Sequence, residues 1–247
     1  MLADREFKPC WYETGSTRFL IDPIADGGLA WHRLNGMLAS EGLMSTFDVG
    51  NIAPEALLFR ARCLAVLNWE DRFGRVRYRL GYPSREARAN LNRAPLDDLL
   101  GAWRQLEDQE WRLIEVLTVG HLEGLEELLR AMLAGIPHQW HGRNPMAEYE
   151  GFYASVLYAH FSATGAEVRA EESGSLGRAD LCVRAFGRVC VFEFKMKGPA
   201  GPVAALSQLK ARGYADWYRG LGEPIQLVRV EVSAETRNIT GFEAEPA

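Results

Sequence analysis

Apolar residues recur at strand spacing in four stretches of the C-terminal part of the chain: AEVRAEE, RADLCVRA, VCVFEFKM and IQLVRVEV. The second and third are joined by FGR, a tight turn, and read as neighbouring strands. A helix is expected from 145 to about 163, with Asn144 as its cap and Pro145 at its first position. A second helix is expected from about 203 to 219, and NITGFEA closes the chain as an extended segment. Helix, three strands, helix and strand predict an α/β sandwich with a mixed sheet.

The N-terminal part is more mixed. HRLNGMLASEGLM and PEALLFRARC read as short helices, and CLAVLNWEDRFGRVRYRLGYPS as two strands around a turn at DRFG. REARANLNRAPLDDLLGAWRQL returns to helix, as does HLEGLEELLRAMLAG, where Leu122, Leu125, Leu129 and Leu133 keep helical spacing. Gly135 and Pro137 end that last helix. A break near residues 136 to 145 divides the chain into a mainly helical region, 1–142, and an α/β domain, 143–247. His138 and His141 flank Trp140 at this break, where a metal pair and a solvated linker both fit the residues. Short helices followed by a hairpin also describe a winged helix. On that reading Arg72, Arg75, Arg77 and Arg79 would meet nucleic acid; on the plainer one they are a solvated hairpin face.

Composition narrows the class. The chain has 247 residues, 47% hydrophobic and 25% charged, which is ordinary for a globular protein. Its net charge of -5 gives no global basic field, so any nucleic-acid contact must be local. Cys10, Cys63, Cys182 and Cys190 form no CxxC pair, and the simplest setting is reduced and cytoplasmic. The opening MLADREFKPCW lacks the apolar run of a signal peptide, and no stretch is long and apolar enough to suggest a membrane span.

The candidate chemistry lies in VCVFEFKM. Side chains alternate across a strand, so Glu193 and Lys195 share a face with Val189 and Val191, while Cys190, Phe192, Phe194 and Met196 share the other. Both faces are largely apolar, so the strand is expected to be covered on both sides, where a charge needs a partner. The FGR turn makes the strand carrying Asp180 its neighbour, and places Asp180 and Glu193 at the same end, far from the turn. Two converging carboxylates suit a hard cation such as magnesium. A lysine beside them can orient or deprotonate a water, or balance charge on a phosphate, as phosphodiester hydrolysis requires. The alternative is a structural salt bridge between Lys195 and Asp180 or Glu193.

GRADLCVRAFGRVCVFEFK resembles the D-x(n)-E-x-K core of the PD-(D/E)XK nuclease superfamily, and more narrowly the nuclease domain that follows AAA-ATPase-like domains. EYEGFYASVLYAHFSATGAEVRAEES is similar to that family's first helix and strand, ALSQLKARGYADWY to its Gln-containing helix, and RNITGFEAE to its closing segment. WYETGSTRFLID, FDVGNIAPEALLF and YRLGYPSREAR resemble the tail of the ATPase-like part. No GxxxxGK[ST] is present, so the resemblance implies a member truncated at its N-terminus or encoded without its motor, and ATP hydrolysis is not expected.

The resemblance implies a restriction-endonuclease-like fold and a metal-dependent nuclease. Asp180, Glu193 and the main-chain carbonyl of Phe194 would be ligands for Mg2+, with Mn2+ as substitute, and Lys195 would be the catalytic lysine. Glu150 matches the acidic residue of the first helix, on a face shared with Tyr153, Ala154 and Leu157; a first-turn charge favoured by the helix dipole is its plainer reading. Gln208 matches the Gln that helps place DNA or the lysine, and Arg212, one turn on, could meet a phosphate. Tyr214 lies about 120° around that helix from Gln208 and is expected to pack. Gly213 departs from the pattern and costs about 1 kcal/mol of helix propensity. DNA is the expected partner, and a homodimer is compatible with the sequence. A binding module that keeps the nuclease fold without its chemistry is the rival reading.

Overall fold

The computed structural model describes residues 34–42, 54–100, 103–120, 122–136, 150–174, 177–197, 210, 213 and 215–247. The chain divides into two compact units, Met1–Asp98 and Leu99–Ala247.

In the first unit, β1 (Met37–Ser40), β2 (Ala65–Arg72) and β3 (Arg75–Gly81) form an antiparallel sheet in the order β1-β3-β2. Helix α1 (Pro54–Arg60) comes before the hairpin and α2 (Arg85–Leu100) after it. Leu34, Leu58, Leu64, Leu80 and Leu91 pack together as the core. The hairpin turns at Phe73 and Gly74, both at positive φ, as a two-residue turn matched to strand twist requires.

One expectation fails here. HRLNGMLASEGLM reads as helix, but Met37–Ser40 is a strand paired with residues 77–80 of β3. Gly36, at φ +91, turns the chain, and its N–H donates to the Leu80 carbonyl at 2.8 Å. So short an apolar run fits either period, and a waiting strand edge decides it. The helical run expected from REARANL to WRQL resolves into α2 and a separate helix α3 (Trp103–Val119).

The second unit holds α3, α4 (Glu123–Ala134) and α5 (Glu150–Ala163). Its strands among the described residues are β4 (Glu167–Gly174), β5 (Gly177–Ala185), β6 (Arg188–Met196), β7 (Ile225–Ser233) and β8 (Asn238–Pro246), with α6 (Asp216–Arg219) preceding β7. The sheet runs β4-β5-β6-β7-β8, parallel only between β6 and β7, and is therefore mixed as expected. NITGFEA becomes the edge strand β8.

Helix α5 packs on one face of the sheet. Phe161 lies 5.3 Å from Phe192, ring centre to ring centre, and Phe192 stacks on Phe194 at 6.2 Å. Between Phe152 and Ser162 every α5 residue except Ser155 is buried, because α3 and α4 pack beside it. An all-round apolar helix is a central one. Arg130 of α4 ties that layer to β8 by donating to the Ile239 carbonyl, and Asn238 donates back to the Arg130 carbonyl at 3.2 Å. On the opposite face, Ala215 and Tyr218 cover Val189, Val191 and Leu227.

The helix expected over 203–219 is interrupted. Gly213 sits in a turn at φ +62, and a Cβ there would come within 2.8 Å of the Asp216 carboxylate. Only glycine adopts this conformation cheaply, and the chain restarts as the short α6. Pro137, His138, Trp140, His141, Asn144, Pro145, Gln208, Arg212 and Tyr214 lie outside the described residues.

Candidate active site

The site forms where β5 and β6 part. Their ladder pairs Leu181 with Phe192 and ends there. One further step of the same register sets Asp180 across from Glu193. Asp180 fills the gap: its Oδ2 accepts a hydrogen bond from the Phe194 N–H at 2.8 Å. An N–H and C=O of one strand residue point to the same side, so the Phe194 carbonyl also faces the gap on the β5 side. A carboxylate in place of a strand partner thus satisfies one main-chain group and stands beside another.

Glu193 and Lys195 follow on β6, two residues apart and on one face. The Glu193 side chain is 7% exposed and that of Lys195 29%, and Lys195 Nζ lies 3.1 Å from Glu193 Oε1. This is the Lys195–Glu193 salt bridge that the sequence left open. Burying either charge alone would be expensive, and the contact offsets that cost.

Two further residues belong to this face and were missed. Register sets Arg229 beside Glu193 and Glu231 beside Lys195 on the parallel strand β7. The Arg229 side chain is 4% exposed, 3.0 Å from Glu231 and 3.8 Å from Glu243. Positive and negative groups therefore alternate in both directions across two strands. The space is prepared by Gly241 of β8, where a Cβ would come within 3.3 Å of the Glu231 Cβ. The signal was present: IQLVRVEV holds Arg229 and Glu231 two apart in an apolar strand, as VCVFEFKM holds Glu193 and Lys195.

Glu150 is the first residue of α5, the helix that supports β6 through Phe161. Tyr153, Ala154 and Leu157 are buried, as their stripe implied.

Among the described residues no group of three or more His, Cys, Asp or Glu forms a metal cluster. The oxygen donors that register and strand geometry bring to this end of the ladder are the Asp180 and Glu193 carboxylates and the Phe194 carbonyl. That all-oxygen set fits a hard divalent cation and not a soft one.

Residues 148–242 match the model of the PD-(D/E)XK nuclease superfamily. This region is similar to that superfamily. The PD-(D/E)XK match spans α5 to β8 and includes Asp180, Glu193 and Lys195. The whole chain is similar to a protein of Azotobacter chroococcum mcd 1 described as "Uncharacterized protein in vnfD 5'region". The two are 43% identical over 247 residues, covering 99% of this chain and 48% of the relative. The chain thus spans about half the length of the curated relative it matches. No solved structure matches. Among the described residues, no helix is long and apolar enough to cross a membrane.

Proposed function

We propose that the PD-(D/E)XK domain is a metal-dependent nuclease that hydrolyses DNA phosphodiester bonds through Asp180, Glu193 and Lys195. The observation that carries this reading is the Asp180 carboxylate docked on the Phe194 amide, one register step from the buried Glu193–Lys195 pair. Asp180, Glu193 and the Phe194 carbonyl would hold Mg2+ or Mn2+. Such an ion supplies Lewis acidity to the phosphate and lowers the pKa of water.

The chain's own groups do the rest. Asp180 is fixed by its bond to the Phe194 N–H, so its position costs no reorganisation on binding. Glu193 holds the Lys195 ammonium at the mouth of the site. As an ammonium, Lys195 faces the charge that grows on the phosphoryl oxygens when water attacks phosphorus and the ester oxygen leaves. In its neutral form it would accept the proton of that water. Arg229, one strand over, keeps a positive charge beside Glu193. Glu150 and Gln208 complete the set, as the acidic residue of the first helix and a residue that positions DNA or Lys195.

The test is cutting of plasmid and single-stranded DNA with Mg2+, with Mn2+ and with chelator, comparing the native chain with Lys195→Ala and Asp180→Asn. Cutting that needs the metal and falls on the order of 10²–10³-fold in both variants is expected. Cutting that survives Lys195→Ala overturns the mechanism. Retained DNA affinity with no cutting by the native chain favours the non-catalytic binding module.

A further inference from the structure

The face of the three-stranded sheet that carries the arginines has no role in the site described above. On β3, Arg75, Arg77 and Arg79 alternate with Val76, Tyr78 and Leu80. Leu80 belongs to the core and Tyr78 packs against it, so the three arginines share the opposite, exposed face. Register sets Arg72 across from Arg75, Glu70 across from Arg77 and Asn68 across from Arg79. Four guanidinium groups therefore stand in two short columns with one carboxylate among them.

The pairing does not neutralise this ladder. Glu70 lies 3.0 Å from Arg72 and 3.8 Å from Arg77, so one acid is shared by two bases. Arg79 donates to the Gly36 carbonyl at 3.4 Å and meets no acid among the described residues. The Arg75 side chain has no salt bridge or hydrogen bond among the described residues. Asp71, the other acid of the hairpin, points to the opposite face by alternation and accepts the Gly74 N–H at 2.9 Å, closing the turn. On a chain of net charge -5, this face is a local excess of positive charge. At the tip of the hairpin Phe73 is fully exposed. Arginines with an exposed aromatic at the tip have the composition of a contact surface and not of a solvated strand.

We propose that this hairpin face docks on the phosphate backbone of duplex DNA, with the arginine columns on phosphates and Phe73 at the groove. Strand ribbons are a known means of reaching a duplex, and residues two apart on a strand lie about 7 Å apart, close to the spacing of successive phosphates along one strand. Arg72 and Arg75 head the two columns at the turn, and Arg77 and Arg79 extend one of them. An exposed aromatic at a ribbon tip can wedge against bases. This contact would give the nuclease reading a substrate grip, but it rests on the hairpin alone.

The experiment keeps the two readings separate by measuring binding in chelator, where metal-dependent cutting cannot occur. The full chain is titrated against a labelled duplex over a range of salt concentrations, beside Arg75→Glu/Arg77→Glu and the milder Arg75→Gln/Arg77→Gln. Expected are affinity losses on the order of tenfold or more in both arginine doubles and a salt slope shallower by about 2, for two lost phosphate contacts. Unchanged duplex affinity in a folded arginine double overturns the proposal. So does equal loss of affinity for an acidic polypeptide, which would make the face a protein-docking surface, and so does a preference for RNA over duplex DNA.

Discussion

The two sheets of this protein turn on the same four residues. Phe73-Gly74-Arg75-Val76 closes the hairpin of the small sheet, and Phe186-Gly187-Arg188-Val189 closes the β5–β6 hairpin of the large one. In both turns the Phe and the Gly take positive φ, at 56° and 74° in the first and 51° and 73° in the second. Beyond the turn the two strands diverge. After Arg75 the chain continues Arg77, Arg79, and these remain in water. After Arg188 it continues Cys190, Phe192, Phe194, and these are buried. The large sheet then places its charges, Glu193, Lys195, Arg229 and Glu231, on the face where Val189 and Val191 pack. A charge costs little in water and several kcal/mol in an interior. Charges in the large sheet therefore mark a candidate site by their position, and charges in the small sheet only by their pattern.

The largest effect expected of this contrast is on stability. Arg229→Ala removes a 4% exposed guanidinium from Glu231 and leaves buried acid behind. It should cost about 4 kcal/mol of unfolding free energy, read from the urea midpoint of the second unit's transition. A loss under about 1 kcal/mol would mean that water reaches this face, and the contrast between the sheets would disappear. Next in size is Glu193→Gln, which keeps shape and removes charge. Metal-dependent cutting should fall on the order of 10²–10³-fold, while duplex affinity in chelator stays close to native.

How much of this could be read from the chain depends on the same physics. Strands β4 to β7 were legible because each is long enough for alternation to show, and Asp180 and Glu193 because a two-residue turn fixes the register of β5 on β6. The order β4-β5-β6-β7-β8, with its single parallel pair, confirms the mixed sheet. Strand β1 was not legible: four residues, MLAS, carry too little period, and their conformation comes from β3. Gly213 was legible as a weak point of its helix, and the left-handed turn there bears that out. Arg229 was overlooked for a different reason. A basic residue in a strand reads as solvated until its neighbours are known, and Arg229 is buried only because β6 and β8 lie on either side of it.

The third effect is a dependence on pH. His160 of α5 is fully enclosed, and desolvation pushes its pKa down to about 4 from 6.5. The unfolded chain therefore binds a proton below pH 6.5 that the folded chain refuses until about pH 4, and stability falls as pH drops through that window. Between about pH 6.5 and 5, above most carboxylate titration, the loss should be about 2 kcal/mol. His160→Gln cannot titrate, so denaturant midpoints measured at both pH values should converge in that variant. A native slope that persists in His160→Gln would place the titrating group elsewhere. The small sheet carries no described histidine on its strands and should contribute nothing to this slope.

The smallest effect is the one that tests the small sheet's side of the comparison. Arg75 stands at the end of β3 on the exposed face, its side chain with no ion pair or hydrogen bond among the described residues. Its removal costs the fold no contact, and it relieves repulsion from Arg72 directly across the ladder. Arg75→Ala should therefore change unfolding free energy by no more than about 0.5 kcal/mol, in either direction. Glu70→Ala is the informative companion. It leaves Arg72 and Arg77 without the acid that they share, so it should destabilise slightly while strengthening duplex binding, because the ladder then presents all its charges unopposed. A hairpin selected only for folding would show the first change and not the second. If Glu70→Ala weakens the fold and leaves duplex affinity where it was, the arginine columns are a solvated face, and the exposed charges of this protein carry no message beyond their own solvation.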